Sequence, residues 1–259
     1  GRDRAGVESP EPVEHLGRRG ERPLHGELLV QEHARQEGER EHQAGERTTH
    51  GQTFQVTRYD ALYVPRDSQV VVESDGAFDL AELSSPVEKQ YPLQFVAFKD
   101  VRENDALHFI AGKPPTQRDL NILIGKNVEA GRIMAGVTFS TEGGWTSWPP
   151  HEHQNMLEEA YLYIDMPAPQ WGMQMVYTNL DEPELVQVVH EGDVVLMPQG
   201  FHPNVAAPGG QINFLWMMAA VREDEDRQQR GDQHGPREDR HAEHRHAGRA
   251  HADDRRDEV

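Results

Sequence analysis

The sequence predicts an all-β protein, with two related small barrels in tandem as the simplest arrangement. Three observations carry that expectation. Short apolar runs follow one another with Gly or Pro in nearly every gap, and no long 3.6-residue period appears between residues 130 and 220. All 18 aromatic residues fall within residues 51–220. One motif also occurs twice: Asp60-Ala-Leu-Tyr-Val-Pro65-Arg-Asp-Ser-Gln69 aligns with Asp193-Val-Val-Leu-Met-Pro198-Gln-Gly-Phe-His202. Each copy reads as a turn entering a strand that stops at proline.

The elements follow in order. Residues 1–50 hold 8 Arg against 11 acids and no aromatic residue; they read as a polar, partly ordered segment in which Leu28, Leu29 and Val30 can form one short strand. TFQV (53–56), ALYV (61–64) and QVVVE (69–73) read as strands. Asp75-Gly76 is a hairpin turn leading to FDLAEL. These strands open a first barrel, set at residues 51–125, that lacks a metal site. A second barrel, at residues 126–221, takes the runs 132–140, 159–166, 171–178, 185–189, 193–198 and 212–220. Residues 222–259 read as a disordered, charged, His-rich tail with little to bury.

Composition excludes several functions. The chain has 259 residues, 26 Lys+Arg, 45 Asp+Glu and a formal net charge of -19, so it lacks the basic footprint of a nucleic-acid binder. With no cysteine, disulfides and thiolate chemistry are out. No apolar run approaches the length of a membrane helix and no secretory leader is visible, which favours an intracellular, soluble protein.

The sharpest chemical signal is GGWTSWPPHEHQNMLEEAYLYI. On a strand, His151 and His153 would share a face and suit two adjacent positions on one ion. A carboxylate follows at Glu159 or Glu158. Glu159 shares its face with Tyr161 and Tyr163; Glu158 shares the more apolar face with Ala160, Leu162 and Ile164. Glu159 is therefore preferred as ligand and Glu158 kept as the alternative. His202, past the Pro198–Gly200 bend, is the fourth. Three imidazoles and a carboxylate suit one divalent first-row ion (Zn, Mn or Fe) and leave positions for substrate oxygens. In the first copy Gln69 replaces His202, so a single site belongs to the second barrel. His108 and His190 read as structural or exposed. Gly143-Gly144 is no phosphate loop, because GxxxxGK is absent. Trp145, Trp148 and Trp171 read as core or rim residues.

At residues 136–220 the chain resembles the 5-deoxy-glucuronate isomerase family of inositol catabolism, related to 5-keto-4-deoxyuronate isomerase. The phrases are GGWTSWPPHEH, LEEAYLY, MQMVYT, GDVVLMPQGFHPNVAAPGG and INFLWMMAA; TFQVTRYDALYVPRDSQVVVES resembles the family's first half. The resemblance covers about residues 50–220. It implies a bicupin, that is, two tandem double-stranded β-helix (jelly-roll) barrels, and a cytoplasmic aldose–ketose isomerase. By position, His151, His153, Glu159 and His202 carry the family's metal ligands. The expected reaction converts 5-deoxy-glucuronate to 5-dehydro-2-deoxy-gluconate through a metal-stabilised enediol. Glu158 is the candidate base if it faces inward, and Tyr177, Tyr161 or Tyr163 the candidate proton relay. The partner is a small sugar acid, and strand edges favour a homo-oligomer. Met175 stands where the family has an Arg, so another cation, Arg132 or Lys126, has to meet the substrate carboxylate if that Arg holds it. The alternatives are a metal-dependent cupin dioxygenase and a non-catalytic metal- or sugar-binding cupin.

Overall fold

Eighteen strands and two short helices make up the computed structural model. It describes residues 51–230 except 75, 77, 154 and 155, and the backbone of three earlier strands. Those are β1 (Arg22–Pro23), β2 (Gly26–His33) and β3 (Ala44–Thr48). Then come β4 (Thr53–Val56), β5 (Ala61–Val64), β6 (Gln69–Ser74), β7 (Asp79–Pro86), β8 (Gln94–Val96) and α1 (Phe98–Arg102). The second half holds β9 (His108–Ala111), β10 (Arg118–Ile124), β11 (Ile133–Ser140), β12 (Trp145–Thr146), β13 (Leu157–Ile164) and β14 (Gly172–Val176). It ends with β15 (Leu185–Val189), β16 (Val194–Met197), β17 (Asn204–Ala206), β18 (Asn213–Ala220) and α2 (Glu225–Arg230).

The strands form four antiparallel sheets. Two come from the first half, in the orders β1-β6-β3-β4 and β7-β2-β5-β8. Two come from the second, β16-β13-β18-β11-β10-β9 and β12-β17-β14-β15. None is a closed barrel; each half is a pair of packed sheets. The all-β expectation holds.

Three apolar layers bind the four sheets. Leu62 and Val64 of β5 pack on Val70 of β6 and fill the first half. Tyr161 and Phe214 from the six-stranded sheet pack on Val176, Val189 and Ala206 of the last sheet. Between the halves, Ala61, Tyr63 and Ala81 meet Leu123, Ile133, Ala135, Val137, Leu215 and Met217. β5, β11 and β18 therefore have core on both faces. That is why ALYV, IMAGVTFS and NFLWMMAA read as nearly continuous apolar runs rather than alternating ones. The close packing also fixes Gly136. A Cβ there would lie 2.2 Å from the Trp216 ring and 2.3 Å from the Asn121 carbonyl oxygen.

Two boundaries differ from the sequence reading. The ladder β9–β10–β11 places residues 108–124 in the second half, not the first. The hydrogen-bonded register of Arg118 through Ile124 against β11 decides this. The polar opening segment also contributes more than one short strand, since β2 lies between β7 and β5. At the other end α2 extends order to residue 230. The remainder of the expected disordered tail lies outside the described residues.

Candidate metal centre and substrate cleft

β13 supplies the floor of the site. Its alternation turns Leu157, Glu159, Tyr161 and Tyr163 toward the layer between the last two sheets. Glu159 is thereby buried, with its side chain 1% exposed. Glu158, one residue away, is exposed on the opposite face. Parity separates the two carboxylates as the sequence suggests. It also removes Glu158 as an inward-facing base.

The His-x-His pair does not lie on a strand, contrary to expectation. Residues 151–153 form an irregular segment between β12 and β13. A tight turn, with the amides of Met156 and Leu157 donating to the His153 carbonyl, brings His153 back over β13. His202 enters from the far sheet. Gly200, at φ +94°, makes the bend before it, with the Tyr177 carbonyl only 3.0 Å from where a Cβ would sit. One ring nitrogen each of His151, His153 and His202 can be chosen so that all three lie within 4.8 Å of one another. Glu159 joins them: its Oε2 is 2.7 Å from His153 Nε2 and 3.1 Å from His202 Nε2.

The tautomers follow from the backbone. His151 Nδ1 faces the Pro149 carbonyl at 3.3 Å, His153 Nδ1 that of Leu157 at 3.1 Å, and His202 Nδ1 that of Gly200 at 2.9 Å. A carbonyl only accepts, so each Nδ1 carries the hydrogen and each neutral ring offers its Nε2 lone pair. Two such lone pairs then face the Glu159 carboxylate, which is itself only an acceptor when ionised. Acceptors this close need a cation between them, a proton or a metal. Burial by itself raises the Glu159 pKa, but protonated His153 and His202 rings, whose Nε2–H groups then donate to it, outweigh burial and hold the carboxyl well below its usual range. The donor set, with its Nδ1 atoms already tied, fits a divalent ion.

An open cleft of about 510 Å³ adjoins this cluster. His151, Glu159, Tyr161 and Ser147 line it at one side, and Phe109, Arg118, Leu120 and Ile122 of β9 and β10 are also part of its wall. Tyr161 and Ser147 share a hydrogen bond of 2.7 Å between their hydroxyls. The Tyr161 ring stacks on Phe214 with centroids 4.1 Å apart. Tyr163 does not serve the cleft. Its hydroxyl donates to Gln174, whose amide in turn donates to the His202 and Pro203 carbonyls. Asn204 joins the same buried network and accepts from Thr146. This network holds the backbone that carries His202.

The model of the KduI/IolB family matches residues 23–235. The chain belongs to the KduI/IolB family. The 5-deoxy-glucuronate isomerase of Geobacillus kaustophilus is 30% identical over 166 residues, covering 61% of this chain and 58% of that protein. The Bacillus subtilis strain 168 protein of the same name is 28% identical over 191 residues, covering 67% and 68%. The match thus spans about three fifths of the Geobacillus relative. Among solved structures, an IolB-like protein from Salmonella typhimurium superposes with a TM-score of 0.67 at 22% identity, covering 79% of this chain and 80% of that one. A putative glyoxylate-induced protein from Pseudomonas aeruginosa superposes at 0.53 and 10% identity, covering 77% and 67%. At these identities the superpositions speak to the fold alone.

Several sequence-predicted residues lie elsewhere in this KduI/IolB chain. Tyr177 is on the outward face of β14's continuation, since Gln174 and Val176 point inward; it stacks on Phe201 at 5.5 Å and is not part of the cleft wall. Met175 shares that outward parity. Arg132 donates to the Ala220 and Val221 carbonyls, and Lys126 is exposed. Neither lines the cleft. His190 is exposed beside Asp193, and His108 pairs with Asp119 at 3.1 Å, both consistent with structural roles. Sequence reasoning missed Arg118 and Ser147. Arg118 lies in the stretch 51–125 that the sequence reading gave to the first barrel, which was expected to lack a site. Ser147 sat unremarked inside the GGWTSWPPHEH phrase.

Proposed function

We propose that the chain is an aldose–ketose isomerase that converts 5-deoxy-glucuronate to 5-dehydro-2-deoxy-gluconate. The observation that carries this reading is the His151–His153–His202 cluster with Glu159 at the edge of an open cleft, in a chain related to proteins named for that reaction. His151, His153, Glu159 and His202 would hold one divalent ion, whose Lewis acidity makes the proton on the carbon beside a carbonyl easier to remove. Isomerisation moves one proton from C2 to C1 and another from the C2 oxygen to the C1 oxygen. Tyr161 is the residue placed to handle the second. Its hydroxyl reaches the cleft beside the cluster and has Ser147 as a hydrogen-bond partner to hold or replace the proton. Phe214 and Trp216 give the cleft an apolar wall beside that hydroxyl.

The same reading takes the two pairs of sheets as the two halves of a bicupin, with the metal centre in the second. It takes the protein as cytoplasmic, without nucleic-acid or membrane partners. No described helix is long and apolar enough to cross a membrane. A homo-oligomer is supported by exposed Leu196, Val194, Val186 and Val188 on the edge strands β16 and β15, an apolar face that a second copy would cover.

The test is turnover of 5-deoxy-glucuronate followed by proton NMR in deuterated water. Wild type is expected to form the ketose and His202→Ala to lose the activity. Absence of product from metal-loaded wild type would refute the reading.

A further inference from the structure

Arg118 is the cation of the cleft. It opens β10 and, with Leu120 and Ile122, faces the same space as His151, Glu159 and Tyr161. Among the described residues its guanidinium donates one hydrogen bond, to the Thr116 carbonyl at 3.1 Å, and forms no ion pair. Four of its five N–H donors remain to be satisfied. The adjacent acid cannot supply the partner. Asp119 points to the other face of β10, where Arg102 at 2.6 Å and His108 at 3.1 Å already meet it. The acid that does line the cleft, Glu159, is held by His153 and His202. The cleft therefore carries a planar, forked cation with apolar neighbours and no carboxylate of its own.

We propose that Arg118 binds the carboxylate of the sugar-acid substrate and so sets the specificity for acids over neutral sugars. The inference rests on the isomerase reading for the identity of the substrate. In 5-deoxy-glucuronate the carboxylate is the chain terminus opposite the aldehyde. A ligand with its reacting end at the imidazole cluster has to send its other end along the cleft, and Arg118 is the group able to receive it. A guanidinium fork matches a carboxylate with two parallel hydrogen bonds. Phe109, Leu120 and Ile122 around it lower the local dielectric and strengthen such a pair. Burial also lowers the pKa of the guanidinium, with Tyr161 acting in the opposite sense, as for a charge that has lost water and lacks a full counter-ion. The same assignment fills the role left open by Met175.

The test compares wild type, Arg118→Gln and Arg118→Lys, each metal-loaded, on 5-deoxy-glucuronate and on the neutral 5-deoxy-aldose with a hydroxymethyl group in place of the carboxylate. Arg118→Gln is expected to lower kcat/KM for the acid by about 10- to 100-fold, mostly through KM, and to leave the neutral sugar within about threefold. Arg118→Lys should fall between. Metal content and melting temperature, measured on all three, should not change. An unaltered acid-to-neutral preference in Arg118→Gln overturns the proposal and leaves the isomerase reading standing. If wild type turns over neither compound, that reading falls, and calorimetric binding of glucuronate against glucose decides on Arg118 alone. Glucuronate held better than glucose by wild type, and no better by Arg118→Gln, sustains the proposal; equal binding of the two by wild type, or the same preference in the variant, overturns it.

Discussion

Each imidazole at the centre is oriented through its Nδ1 by a backbone carbonyl, so the ligand set depends on local chain geometry as much as on residue type. Glu159→Gln keeps the shape and removes the charge. It should weaken binding of a divalent ion by at least the roughly 10- to 100-fold that loss of a mere outer-shell partner costs, measured by competition with a chelating dye. Gly200→Ala acts on the bend before His202. The left-handed φ and the close Tyr177 carbonyl should cost about 1–2 kcal/mol, seen as a lower denaturation midpoint. Tyr161→Phe should reduce kcat by about 100-fold while the bound metal is unchanged. At this scale the sequence was informative where residue type dictates chemistry. Three His, a Glu and the parity argument that prefers Glu159 over Glu158 all point to groups that the structure brings together. It was silent where the answer lies in direction. Nothing in MQMVYT says that Tyr177 faces outward, and nothing in RDLNILI says that Arg118 faces a cleft.

Among the elements, strands with one clear apolar run and a Gly or Pro stop were legible within a residue or two. ALYV coincides with β5, and the run 132–140 with β11. β9 and β10 were not read as part of the second half. HFIA and RDLNILI carry charged and polar residues because both are near the sheet edge, which weakens the pattern from which strands are read. The His-x-His segment was expected on a strand because two-residue spacing fits a pleat. In the folded chain a turn at His153 does the same work. The central pair β11 and β18 offers the sharpest test of packing. Gly136→Val would drive its side chain into Trp216 and the Asn121 carbonyl, with overpacking costs of about 1–3 kcal/mol or more. A fall in melting temperature of several degrees, or loss of soluble protein, is the expected outcome.

Across the whole molecule, the four-sheet stack depends on contacts that join its halves. Beyond the apolar layer, Lys89 and Tyr91 bond Asp224, Tyr91 also bonds Glu223, and Arg58 and Tyr59 bond Asp165. The internal echo of Asp60–Gln69 and Asp193–His202 suggests two related units, yet it could not show how the four sheets pack on one another. The link at Asp224 has a pH signature. A hydrogen bond from Lys89, followed by one from Tyr91, lowers its pKa in the folded protein. Its contribution is therefore fully present above the ordinary carboxylate range and is lost as pH falls through the lowered value. Asp224→Asn should melt below wild type at pH 7, by an amount small for a half-exposed pair. The gap should close as pH drops below about 4.

The central claim is that one buried centre binds a divalent ion and makes the chain an isomerase. Its most direct test is metal content per chain, alongside 5-deoxy-glucuronate turnover, for wild type and the His151→Ala/His202→Ala double variant. Both are purified without an affinity tag, because ten of the fifteen His lie in residues 1–50 and 221–259. The account predicts close to one ion per chain in wild type, with metal and turnover lost together in the double variant. Equal metal in the two proteins, or turnover that survives the double substitution, would contradict it.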